Sequence, residues 1–199
     1  VDWYGDIDTR TSGGTTGGDV NFQIASGVSG SYGLYIPNAG RQILAGDGDI
    51  TIVANTYSWG SNTPTLTSTG DFTWLSAASS FGQSVNNTWY NTDGSTFKNV
   101  TIGKATNTAN VTIGRSLNFT GDLNIYGGTI DVTSNITSSG TGDIFMQAVT
   151  AANSSIDIQG NILKNGGENS TLTLKGAGRV QVRNPITATN SGGMNVVLW

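Results

Sequence analysis

Apolar and polar residues alternate along this chain in short recurring phrases, not in helical stripes. Between Lys98 and Tyr126 one phrase stands three times: Asn99-Val100-Thr101-Ile102-Gly103, Asn110-Val111-Thr112-Ile113-Gly114, and Asp122-Leu123-Asn124-Ile125 with Gly127 close behind. Two large apolar residues flank a small polar one in each copy, so an extended segment buries one face and keeps the other wet. The Gly and Asn residues around each copy turn the chain. The pattern predicts a repeated strand–turn unit.

The unit extends in both directions. One series is led by Ile50, Phe72, Val100, Leu123, Ile144, Leu172 and Val196, and a second by Val111, Val132, Ile156 and Val180. Successive members of either series lie 21 to 28 residues apart. Two interleaved series with one shared period predict a solenoid whose every coil contributes at least two strands. Val, Ile, Leu, Thr and Phe dominate the phrases, while Gly, Asn, Asp, Ser and Thr fill the rest, so the coils consist of strands and turns. A leucine-rich repeat would need a helical or Leu/Asn consensus segment in each unit, and none is visible. The expected fold is therefore all-β, a right-handed parallel β-helix with coils of 21–28 residues, the hand following from crossover chirality.

The whole of 1–199 reads as one β-helix segment. Residues 1–45 form an irregular start or first coils, in which Thr11 to Gly18 is a Gly/Thr-rich linker and Asp19-Val20-Asn21-Phe22-Gln23-Ile24 alternates cleanly. Residues 46–199 form regular coils. The longest excursion is about 77–98, where Asn91-Thr92-Asp93-Gly94 lies between extended runs, and Asp-Gly in that setting predicts a projecting hairpin or loop. A second excursion spans 163–169.

Composition narrows the function classes. Only 36% of residues are hydrophobic and 11% charged, with 29 glycines, a balance that would mean disorder without the periodicity. A net charge of −4 and only nine Lys and Arg leave no basic stripe, so nucleic acid is not an expected partner. No apolar run approaches the roughly 18 residues of a membrane span. The absence of Cys and His excludes thiolate chemistry, Ser-His-Asp and Cys-His constellations and zinc sites of those ligands, and no metal or cofactor is expected. Val1-Asp2-Trp3-Tyr4 carries no start methionine or secretory leader. The other end, Met194 to Trp199, stops inside a strand phrase. A continuing native chain is therefore expected, with Val196, Leu198 and Trp199 marking an apolar assembly end that pairs with further coils of the same chain or with identical subunits.

The phrases Gly-Asp-Ile-Thr-Ile (48–52), Gly-Asp-Leu-Asn-Ile (121–125) and Gly-Asp-Ile-Phe-Met (142–146), with the stretch from Ile186 to Trp199, resemble the shaft repeats of filamentous haemagglutinin-type exoproteins. These include the high-molecular-weight adhesins exported by two-partner secretion. The resemblance covers about residues 46–199. It implies a β-helical shaft, export past an outer-membrane transporter to the extracellular surface of a Gram-negative bacterium, and adhesion to host-cell or surface glycans and receptors.

Candidate chemistry is sparse. Asp47, Asp49 and Asp71 with Arg41 are the one group in the sequence that matches the acidic calcium ligands and basic residue of β-helical polysaccharide lyases. Asp49 and Asp71, however, share a repeat position with Asn99, Asn110, Asp122 and Asp143, where a turn former bonding local backbone is the simpler explanation. Gly46-Asp47-Gly48-Asp49 resembles calcium-binding β-roll turns but lacks their roughly nine-residue period. Trp59, Trp74, Phe81, Trp89, Tyr90 and Phe97 concentrate near the expected hairpin. Of these Trp89, Tyr90 and Phe97 are the candidates for stacking on sugar faces, the alternative being that the rings shield the side of the β-helix. Seven Asn-x-Ser/Thr sequons, at Asn86, Asn99, Asn110, Asn118, Asn135, Asn153 and Asn169, are close to what composition alone yields. The functional expectation is a non-catalytic structural and adhesive segment. The alternatives are a self-assembling extracellular fibre subunit and a β-helical carbohydrate-active enzyme.

Overall fold

A computed structural model describes residues 1–12, 14–24, 33–36, 40–59, 63–149, 154–190 and 192–199. The side chain of Trp59 and the sequon at Asn153 lie outside that description. Among the described residues the chain is a parallel β-solenoid, and its one helical turn is the 3-10 segment Asn87–Trp89. Each regular coil contributes three strands, hence three faces.

The longest face stacks eight strands: Val20–Gln23, Ile50–Val53, Phe72–Leu75, Val100–Ile102, Leu123–Gly127, Ile144–Ala148, Ser170–Gly176 and Met194–Leu198. Every pair is parallel, and Val20, Ile50, Phe72, Val100, Leu123, Ile144, Leu172 and Val196 stand in one register. The leading residues of the first sequence series thus form a single inward ladder. A second face stacks Val85–Asn86, Val111–Ile113, Ile130–Val132, Ser155–Ile158 and Arg179–Val182. The third, which the sequence phrases do not announce, stacks Leu117–Phe119, Ile136–Ser138, Ile162–Asn165 and Ile186–Thr189. In the amino-terminal coils two short parallel sheets, Leu34–Ile36 with Tyr57–Trp59, and Ile7–Asp8 with Gln42–Gly46 and Thr65–Ser68, take the corresponding places.

In the strands of the longest face from Ile50–Val53 to Ile144–Ala148 inward positions are buried and outward ones are not, as alternation along a strand requires, whereas Val196 and Leu198 in the last strand are exposed. Burying each Val, Ile or Leu of the ladders contributes about 1.5–3 kcal/mol, and the parallel stacking repeats that gain coil after coil. The corners need small residues. A Cβ built on Gly142 would lie 2.0 Å from the backbone C and O of Gly121, one coil earlier.

The Asp or Asn that follows this corner does not bond local backbone. Its Oδ1 accepts from the backbone N–H one coil on: Asp49 N–H to Asp19 (2.9 Å), Asp71 N–H to Asp49 (2.8 Å), Asn99 N–H to Asp71 (3.2 Å), Asp122 N–H to Asn99 (2.8 Å), Asp143 N–H to Asp122 (2.9 Å) and Thr171 N–H to Asp143 (2.7 Å). This corrects the local-turn expectation: the strand geometry turns each carboxylate along the solenoid axis, where the neighbouring coil offers a donor. Asn110, Asn135 and Asn169 do the same for Thr129, Asn161 and Gly193. Sequons at Asn99 and Asn110 follow from that geometry, because a ladder Asn precedes an inward Val and an outward Thr.

The expected hairpin at 77–98 does not project. Val85 and Asn86 pair in parallel with Val111 and Thr112, Asn91 bridges Thr65, and Phe97 bridges Phe119, so the segment runs as a coil. Phe81, Val85, Tyr90 and Phe97 are all buried, and a free hairpin would have left them in water. Asp93 and Gly94 make only a turn, held by Arg115, whose guanidinium donates to Asn91 (2.9 Å) and Asp93 (2.8 Å).

One inward position on the third face holds a cation. Lys164 is fully buried between the in-register Ser138 and Ala188, and its ammonium donates to the Gly140 carbonyl. Burial lowers its pKa, opposed by the Asp143 carboxylate. The folded chain therefore binds fewer protons than the unfolded chain in the window below 10.5, and stability rises with pH across it. Lys164→Met is expected to stabilise the fold at neutral pH by about 1–3 kcal/mol, because an apolar side chain of similar length needs no charge desolvated. Chemical denaturation over a pH series checks this: the gap between variant and wild type should narrow as the pH approaches 10.5, and a gap that stays constant would refute it.

Candidate functional site

Short polar residues fill one outward column of the longest face through its first five strands. These are Asn21, Thr51, Thr73, Thr101 and Asn124, and then Phe145 breaks the run before Thr173. Phe145 is in register with Asn124, and Tyr126 lies two residues further along the neighbouring strand. That diagonal offset lets long side chains meet across strands. The Tyr126 and Phe145 rings are 5.8 Å apart with planes inclined by 51°. Both rings are partly exposed because the ladder directs them away from the core.

A groove of about 430 Å³ opens at this pair, lined with the two rings by Asp122, Asn124, Asp143, Thr171 and Thr173. Carboxylate, amide and hydroxyl groups thus converge around an aromatic platform, the composition of a site for a polar ligand with an apolar face. A larger cleft, about 600 Å³, is lined by Val1, Leu34, Tyr35, Tyr57 and Gln83.

The aromatics expected to stack on sugars lie elsewhere. Tyr90 and Phe97 are fully buried, with Tyr90 edge-on to Trp74 at 5.1 Å and Phe97 stacked on Phe72 at 5.2 Å. Neither ring has a face free for a ligand. This corrects the expectation for those two residues, and the reason is the failed hairpin: once 77–98 is a coil, its aromatics point inward. Trp89 is partly buried and packs 5.8 Å from Tyr57 and 5.9 Å from Trp74.

The acidic group is not brought together with its arginine. Arg41 pairs with Asp6 at 3.6 Å, Asp47 accepts from the Gly17 N–H at 2.8 Å, and Asp49 and Asp71 belong to the corner ladder. No cluster of three or more His, Cys, Asp or Glu suited to a metal occurs among the described residues. Val196, Leu198 and Trp199 are exposed on and just after the last strand of the longest face. On the second face Asp157 accepts from Arg183 Nε (2.8 Å) and Nη2 (3.0 Å), which holds its carboxyl below the usual range, while burial and the in-register Asp157 push Asp131 up. That pair ties adjacent coils together on a face away from the groove.

Tyr126 and Phe145 were missed in the sequence, although a signal existed. Phe145 occupies the middle position of its phrase, where Thr, Asn, Asp or Gln stands in nearly every other copy. Fold and site together define a parallel β-solenoid with an aromatic groove on its longest outer face. No protein-family model, characterised protein or solved structure shows significant similarity to the chain. No helix among the described residues is long and apolar enough to cross a membrane.

Proposed function

We propose that this chain is a non-catalytic adhesive segment of an extracellular bacterial surface protein, a stiff shaft that holds surface glycans in the groove at Tyr126 and Phe145. The observation that carries this reading is the outward aromatic pair set among Asp, Asn and Thr side chains. A sugar ring presents an apolar face of C–H groups and a rim of hydroxyls. Tyr126 and Phe145 meet the first, and Asn124, Thr171, Thr173 and the carboxylates meet the second. The solenoid supplies rigidity, since both rings stand on adjacent strands of one continuous sheet. The shaft-repeat resemblance of residues 46–199 agrees with export and adhesion.

An oligosaccharide array followed by calorimetry on the hits tests this. The intact chain is expected to bind at least one oligosaccharide, and Tyr126→Ala or Phe145→Ala to weaken it about tenfold each, the equivalent of roughly 1.4 kcal/mol. Both positions are outward, so thermal unfolding should barely move. Binding that survives the double substitution unchanged, or no binding across the array, would sink the proposal.

A further inference from the structure

The groove carries charge of one sign. Its lining includes two carboxylates, Asp122 and Asp143, and neither Lys nor Arg. Both are exposed. Each uses Oδ1 as acceptor for the next coil's backbone N–H, at 2.9 Å for Asp122 and 2.7 Å for Asp143. Ladder geometry therefore fixes each carboxyl group at the groove's lining through Oδ1, and Oδ2 accepts no hydrogen bond among the described residues. The two carboxylates occupy one column on adjacent coils, separated by the strand spacing of about 4.8 Å. That is close to the length of one pyranose unit. A sugar chain lying along the solenoid axis would set successive rings over Tyr126 and Phe145 and successive substituents against Asp122 and Asp143.

Resting on the glycan reading of this groove, we infer that its ligand is an extended oligosaccharide bearing free amino groups, of the polyglucosamine class. A protonated amine on each sugar matches a carboxylate on each coil, and a charge-assisted hydrogen bond to Oδ2 is stronger than a hydroxyl contact. Uronic acid polymers meet like charge in the same place. Lys98 and Lys175, on the coils before and after, bracket the acidic stretch, and Lys164, buried on the third face, feels the Asp143 carboxylate. The favoured segment is accordingly two or three sugars long. Asn99 occupies the same column and accepts the Asp122 N–H at 2.8 Å, so an amide preserves the ladder while removing the charge.

Calorimetry at mildly acidic pH with three tetramers, glucosamine, N-acetylglucosamine and galacturonate, tests the assignment. The glucosamine tetramer is expected to bind about tenfold more tightly than its acetylated counterpart, with the galacturonate weakest. In Asp122→Asn/Asp143→Asn that preference should collapse to near unity, and added salt should erode it in the native chain. Equal binding of the amine and acetamide forms, or a preference that persists in the double variant, overturns the charge assignment. If all three tetramers bind alike and Tyr126→Ala/Phe145→Ala abolishes them all, the glycan reading stands and only the amine assignment fails. If none binds, both fall.

Discussion

Trp74→Ala is expected to lower the unfolding free energy by about 4 kcal/mol, more than any other substitution proposed for this chain. The indole is fully buried on the longest face, in register with Ile52 on one side and Ile102 on the other. Four further rings surround it: Tyr57 at 5.3 Å, Phe81 at 5.8 Å, Trp89 at 5.9 Å and Tyr90 at 5.1 Å. Tyr57 and Tyr90 meet it edge to face, an arrangement worth about 0.5–1.5 kcal/mol beyond burial. Rings packed against the indole on several sides cannot close over a cavity of its size, so the loss falls at the upper part of the range for large core truncations. Because coils touch only their neighbours, the damage should concentrate between Ile50 and Ile102 while the coils from Leu123 onward persist. Urea unfolding followed by hydrogen exchange reads both points. A loss under about 1 kcal/mol, or uniform deprotection of the whole chain, would contradict the role assigned to this cluster.

Gly142→Ala should cost about 3 kcal/mol for a different reason. The backbone of Gly142 is not in the left-handed region, so alanine suffers no conformational penalty there. The obstacle is the coil beneath: the added methyl would sit 2.0 Å from Gly121 backbone atoms and 2.5 Å from the Asp122 N. Backbone cannot swing aside as a side chain can, and parting the coils would stretch the Leu123–Ile144 pairing and the Asp143 N–H bond to Asp122. Gly94 provides the contrast. Its φ is +86° but nothing lies within 4 Å of a methyl added there, so Gly94→Ala should cost only about 1 kcal/mol of backbone strain. Denaturation of the two variants side by side checks the ordering, and an equal loss would refute the stacking account of the Gly-Asp phrase.

Two faces were legible in the sequence because their strands place apolar residues two apart, as in Val100 with Ile102 and Val111 with Ile113. The register follows from the same phrases, and Val100, Leu123 and Ile144 align as their spacing predicts. The third face hid because, after Leu117 with Phe119, its second inward position holds Ser138, Lys164 and Ala188 in successive coils, so the apolar pair does not recur. Asp93-Gly94 misled for a related reason. A turn dipeptide reports local backbone preference, whereas the aromatic residues around it decide which way the segment packs.

What the amino-acid order by itself determined is the repeat: strand length, period, inward and outward faces, and hence a parallel β-solenoid. These depend on the two-residue alternation of a strand, which any short phrase displays. Only the tertiary structure decided which aromatics face solvent and which carboxylates share a column. Tyr126 and Phe145 are nineteen residues apart in sequence, and stacking of their coils is what brings their rings to 5.8 Å. Trp74 and Tyr90 meet in the core because the single coil from Phe72 to Lys98 closes on itself. Proximity between coils depends on the exact number of residues in each turn, a sum over whole coils that no single phrase contains.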